Sequence, residues 1–102
     1  MDRAHTYQLR RYELAPQLAD EFLRWVKQDV MPLRNQYGFG AEWMYLSEDK
    51  TELTWLCSYQ GDQQSFLAAE KQYSESDERK AFAETMPKAL IKVHTSFVSS
   101  VF

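Results

Sequence analysis

Arg10 and Tyr12 stand two residues apart near the start of the chain. On a strand, positions i and i+2 share a face, so this guanidinium and this phenol point the same way. Such a pair can hold a carboxylate or an enolate, Arg10 through a bidentate contact and Tyr12 by donating a hydrogen bond. The competing reading pairs Arg10 with a carboxylate of a partner subunit. His94 lies in a later run of mostly apolar and small residues. It is the candidate catalytic residue, a general base for an acidic carbon, against the alternative of a satisfied structural histidine. His5, near the terminus, reads as solvated. Trp43, Tyr45, Trp55 and Tyr59 can stack on a flat ligand such as a quinone, a polyketide or a haem, or they can form core and subunit interface. Together with Arg10 and Tyr12 they make up the candidate ligand-binding set. Cys57 has no neighbouring cation or histidine in sequence to lower its pKa and reads as a small buried apolar residue. Two distant histidines and one cysteine lack zinc-site spacing, and there is neither a glycine-rich phosphate loop nor a dinucleotide fingerprint. No metal and no cofactor is expected.

The elements that must position these groups follow from periodicity. Residues 6–14 alternate as a strand, with Tyr7, Leu9 and Arg11 on one side and Gln8, Arg10, Tyr12 and Leu14 on the other. Pro16 suits the first turn of a helix, and Asp20 and Glu21 suit the positive end of its dipole. Leu18, Phe22, Val26 and Val30 recur every four residues as a core-facing stripe. Pro32 is expected to break or kink the helix near its end, because it removes a hydrogen bond to the Gln28 carbonyl. Gly38 is a plausible stop.

Residues 39–47 and 52–59 read as a hairpin around Glu48-Asp49-Lys50-Thr51. An odd loop count places Trp43 and Tyr45 with Trp55, Cys57 and Tyr59. An even count places them with Thr54 and Leu56, and one residue of slip exchanges the two. Asp62 caps a second helix carrying Phe66, Leu67, Ala69 and Tyr73. Ser74 or Ser76 caps a third, which carries Phe82 and Met86 and stops before Pro87. A last strand covers residues 89–97, and the tail to Phe102 is extended or reaches a partner.

The order is β-α-β-β-α-β, with the second helical region split. Right-handed crossovers put both helical layers on one side of a four-stranded antiparallel sheet, a ferredoxin-like α+β plan. The opposite face is then bare, and a bare face rich in Trp and Tyr calls for a cover. Two copies can cover each other's sheets, giving a closed homodimeric barrel with helices outside and a cavity within.

With 102 residues the chain is read as one domain, 1–102. Aromatic residues make up 15%, enough to bury a core in a short chain. The net charge is −3 with scattered Lys and Arg, so no nucleic-acid partner is expected. No stretch approaches a membrane span, the first residues lack a signal-peptide run, and the lone thiol fits a reducing compartment. The expectation is a cytoplasmic protein.

The run Tyr7-Gln8-Leu9-Arg10-Arg11-Tyr12-Glu13-Leu14 resembles the opening strand of the NIPSNAP family, with its Tyr-x-Leu-Arg-x-Tyr pattern. Pro16, Phe22 and Pro32-Leu33-Arg34 are similar to the family's first helix, and Cys57-Ser58-Tyr59 before Gly61-Asp62 to its third strand. Thr95-Ser96-Phe97 resembles its closing segment loosely. The chain departs from the family at Glu48-Asp49-Lys50, where a Gly- and Asn-containing turn is common, and at Gln63-Gln64, where an Arg is frequent. The resemblance implies a dimeric α+β barrel. That superfamily holds cofactor-free monooxygenases, haem-degrading enzymes, isomerases and stress-response proteins, and the NIPSNAP branch has no settled chemistry. It implies a small-molecule binding protein of unassigned activity. The alternative is a cofactor-independent monooxygenase or isomerase acting on an aromatic or polyketide-like substrate.

Overall fold

Alternation in the first strand organises the whole sheet. In the computed structural model, which describes residues 5–101, strand β1 runs His5–Leu14. Met1–Ala4 and Phe102, and with them the readings of the first residues and of the tail's end, lie outside the described residues. After a short 3-10 turn at Pro16–Leu18 come helix α1 (Ala19–Trp25), a π turn (Val26–Val30) and helix α2 (Met31–Gln36). Strands β2 (Phe39–Leu46) and β3 (Glu52–Gln60) form the hairpin. Helices α3 (Gln63–Glu75) and α4 (Asp77–Ala83) lead to strand β4 (Leu90–Val98). The sheet order is β2-β3-β1-β4 and every neighbouring pair is antiparallel, as a ferredoxin-like plan requires.

The long first helix departs from expectation at its proline. Pro32 does not end it. The irregularity lies one turn earlier, where the Met31 N–H reaches back five residues to the Val26 carbonyl. The α-helix then restarts with Pro32 in its first turn, where a missing N–H does no harm. The widened turn also explains the stripe. A spacing of four drifts around a helix of 3.6 residues per turn, and the π turn offsets that drift, so Phe22, Val26 and Val30 are all buried. The helix stops at Gly38, whose φ of +94° favours glycine.

Two caps are formed: Asp62 accepts from the Ser65 N–H at 2.8 Å, and Ser76, not Ser74, accepts from the Arg79 N–H at 3.2 Å. Helix α4 ends at Ala83, so Met86 lies beyond it, in a chain of turns where Thr85 and Met86 still donate to the Phe82 and Ala83 carbonyls. Leu67 points to solvent, since the buried side of α3 is Phe66, Ala69 and Tyr73.

The hairpin closes on Ser47 and Glu52 around four residues, an even count. Trp43 therefore pairs with Leu56 and Tyr45 with Thr54. A bulge at Glu42 then shifts the register, and Ala41 and Phe39 pair with Cys57 and Tyr59. Phe39 and Trp43 are four apart, yet they stand on opposite faces. The helix side of the sheet carries the core, with Leu53, Trp55 and Cys57 packed against Phe22, Val26 and Phe66. Phe66 sits edge-on to Phe39 and Phe97, at 5.0 and 5.2 Å between ring centres. Among the described residues no helix is long and apolar enough to cross a membrane.

Candidate functional site

The register divides the expected ligand-binding set between the two faces of the sheet. Arg10, Tyr12, Trp55 and Tyr59 point toward the helices, because Tyr12 pairs with Leu53 and Arg10 with Trp55 on the core side. Trp43 and Tyr45 stand on the opposite, open face with His94. The six residues thus do not line one cavity. The physical reason is the even hairpin loop, which pairs Trp43 with Leu56 and Tyr45 with Thr54.

The open face is built from alternate residues of all four strands. Tyr7 and Leu9 of β1, Trp43 of β2, Leu56 of β3 and Val98 of β4 line a groove of about 1010 Å³. The Trp43 and Tyr45 rings lie 5.7 Å apart, and their relative exposures of 38% and 69% are high for such large aromatics. Polar contacts flank the apolar strip. Arg11 meets Glu52 at 2.9 Å, and the Ser58 hydroxyl donates to Glu42 at 2.7 Å. His94 lies with its Nε2 2.6 Å from a Glu13 carboxylate oxygen. That hydrogen bond holds the Glu13 carboxyl below its ordinary pKa. The contact engages Nε2 of the ring with a carboxylate.

The helix side holds a second, interior cluster. Arg10 donates from Nε to the Tyr12 hydroxyl at 2.9 Å, and from Nη1 to Gln8 Oε1 at 2.7 Å and Glu70 Oε1 at 3.2 Å. Arg34 of α2, only 4% exposed, donates from Nη2 to the same Glu70 oxygen at 3.2 Å. Its guanidinium carbon lies 4.7, 5.1 and 5.4 Å from the ring centres of Tyr73, Phe39 and Trp55. Burial pulls the Arg10 pKa down, but Tyr12 and the Glu70 carboxylate outweigh it and hold the guanidinium above its ordinary value. The Cys57 thiol, 3.7 Å from Arg34 Nη1, is pushed up to about 11 by burial, against the pull of Arg34 and Arg10. It is a protonated, buried group and a poor nucleophile.

Arg34 and Glu70 were not among the residues expected at a site. The signal for Arg34 was present, since Leu18, Phe22, Val26 and Val30 recur every four residues and the next member is position 34. Glu70 likewise falls between Phe66, Ala69 and Tyr73 on the buried side of α3. Tyr59 is wedged on the helix side. A Cβ at Gly38 would meet its ring at 3.1 Å, and one at Gly61 at 2.8 Å. Among the described residues no three His, Cys, Asp or Glu side chains converge to hold a metal ion.

No protein-family model and no curated protein matches the chain. Solved structures do match its fold. An uncharacterized NIPSNAP domain protein from Burkholderia xenovorans superposes with a TM-score of 0.80 at 17% identity, covering 95% of this chain and 96% of that one. A NIPSNAP family protein of unknown function from Agrobacterium tumefaciens gives 0.82 at 10% identity, covering 96% and 89%. A putative antibiotic biosynthesis monooxygenase from Bacteroides thetaiotaomicron gives 0.72 at 13% identity, covering 100% and 94%. The chain has the fold of the NIPSNAP-domain structures, and that fold extends to the monooxygenase.

Proposed function

We propose that the chain is a NIPSNAP-like protein that works as a homodimer and binds a small molecule in the barrel closed by two open sheet faces. The observation that carries this reading is the uncovered strip of Leu9, Trp43, Tyr45 and Leu56 beside a groove of about 1010 Å³. Exposed aromatic patches of this kind mark contact surfaces. A second copy would cover them, and the space left between the sheets would suit a flat, largely apolar ligand stacked on Trp43 and Tyr45. The single buried thiol fits a reducing compartment, and the cytoplasm is the setting this reading carries. Native mass spectrometry on freshly purified protein tests it. A dimer carrying extra small-molecule mass is the expected result. A protein that stays monomeric at high concentration refutes the barrel, and a dimer unchanged by Tyr45→Asp refutes the use of this face.

A second reading is favoured by one contact. The His94–Glu13 pair, at 2.6 Å on the same open face, is arranged as a carboxylate-oriented base. It supports a cofactor-independent monooxygenase or isomerase acting on an aromatic or polyketide-like compound. Its test is oxygen consumption, or isomerisation followed by absorbance, with electron-rich phenols. Turnover that survives unchanged in His94→Ala removes His94 from the chemistry.

A further inference from the structure

The interior cluster on the helix side is distinct from the open-face groove, and its donors outnumber its acceptors. Arg10 and Arg34 both rely on one oxygen of Glu70, each at 3.2 Å. Charge-assisted contacts of this type favour about 2.7–2.9 Å, and a guanidinium is best matched by both oxygens of a carboxylate. Glu70 therefore serves two cations through one atom, at long range for each. Trp55 is fully buried, with its ring centre 5.7 Å from the Arg10 guanidinium carbon and 5.4 Å from that of Arg34. Its indole Nε1 has no hydrogen-bond partner. A buried donor left unpaired is costly and uncommon in native proteins. The nearby thiol of Cys57 stays protonated and brings no negative charge. Two guanidiniums thus share one carboxylate oxygen, and the buried indole N–H of the ring beside them has no acceptor.

Glu70 is also the exposed member of the cluster. A quarter of its side chain is exposed, against 5% for Arg34 and 14% for Arg10, so of the three charged groups its carboxylate is the one most open to solvent. We infer that the Arg10–Arg34 pair is an oxyanion site for a small carboxylate, and that Glu70 occupies it as an internal stand-in until a ligand displaces it. The rings of Phe39, Trp55 and Tyr73 around Arg34 favour an aromatic carboxylate over a strongly hydrated inorganic ion.

The test uses the full chain labelled with nitrogen-15. Its three tryptophans give three indole N–H resonances, assigned by elimination with Trp25→Phe and Trp43→Phe. Sodium benzoate is titrated at constant ionic strength against sodium chloride. The Trp55 resonance is expected to shift and saturate with benzoate and not with chloride, while that of Trp25, which donates to the Phe82 carbonyl at 3.0 Å, stays still. Removing the internal competitor in Glu70→Gln is expected to tighten benzoate about tenfold, as when an occluded state held most of the population. Arg34→Met should abolish the saturable shift. No saturable shift of Trp55 in wild type and Glu70→Gln overturns the inference, as does an equal response to chloride. Movement of Trp43 alone would place benzoate in the open groove and also overturn it. If Glu70→Gln does not fold, wild type compared with Arg34→Met decides.

Discussion

Glu70→Gln is the substitution whose effect the interior cluster predicts most sharply. The side chain keeps its shape and loses only its charge, leaving Arg10 and Arg34 without a carboxylate. Removing one partner of a fully buried ion pair costs about 3–5 kcal/mol. Two features reduce that figure here. Glu70 is a quarter exposed, and Arg10 keeps its contacts to Gln8 and Tyr12. A loss of about 2 kcal/mol is expected, which for a domain near this size lowers Tm by about 8–16 °C. Arg34→Met should cost less, about 1 kcal/mol, because it removes the surplus cation and leaves Arg10 and Glu70 paired. The double variant Arg34→Met/Glu70→Gln should cost less than the sum of the two, with a coupling of about 1 kcal/mol. Urea unfolding followed by circular dichroism and tryptophan fluorescence measures all three. A Glu70→Gln loss under about 0.5 kcal/mol, or strict additivity in the double variant, would refute the reasoning that surplus charge is held in place by Glu70.

Three further outcomes are expected. Gly38→Ala forces a side chain into φ +94° and 3.1 Å from the Tyr59 ring, and should cost about 1–2 kcal/mol in the same unfolding assay. The depressed pKa of Glu13 adds stability that is complete above its ordinary carboxylate value and disappears as pH falls through the lower folded value. His94→Gln should therefore flatten the acid limb of a stability-against-pH curve, and an unchanged limb would show that the pair adds nothing. Cys57, buried and with its pKa pushed up to about 11, should resist iodoacetamide at pH 8 in the folded protein and react promptly in urea.

Much of the fold is legible in the residues themselves. The alternation of Gln8, Arg10, Tyr12 and Leu14 against Tyr7, Leu9 and Arg11 assigns the two faces of β1 correctly, because a half-buried strand admits only a period of two. Asp62 and Ser76 mark helix starts because their side-chain oxygens satisfy backbone N–H groups that have no other partner there. The site was harder to read. Which face carries Trp43 depended on whether the hairpin loop is odd or even, and the bulge at Glu42 leaves no periodic trace. Pro32 announced an irregularity but not its place, since a π turn upstream satisfies the backbone better than a break at the proline. Arg34 was hidden by its charge. An arginine near a helix end ordinarily reads as a solvated cation favoured by the dipole, and only the continuation of the four-residue stripe marks it as buried.

The π turn has a consequence for motion. It divides the first helix into two short rods, and the joint between them lacks the regular ladder that makes a helix open as one unit. Arg34 rides on the second rod, the one that begins at the joint. Arg34, buried, thus sits on the short piece of helix beyond the joint, while the first rod packs through Phe22 and Trp25. Amide hydrogen exchange should rank Met31 and Leu33 as faster than Phe22 and Trp25, and a small acid that reaches Arg34 should slow them.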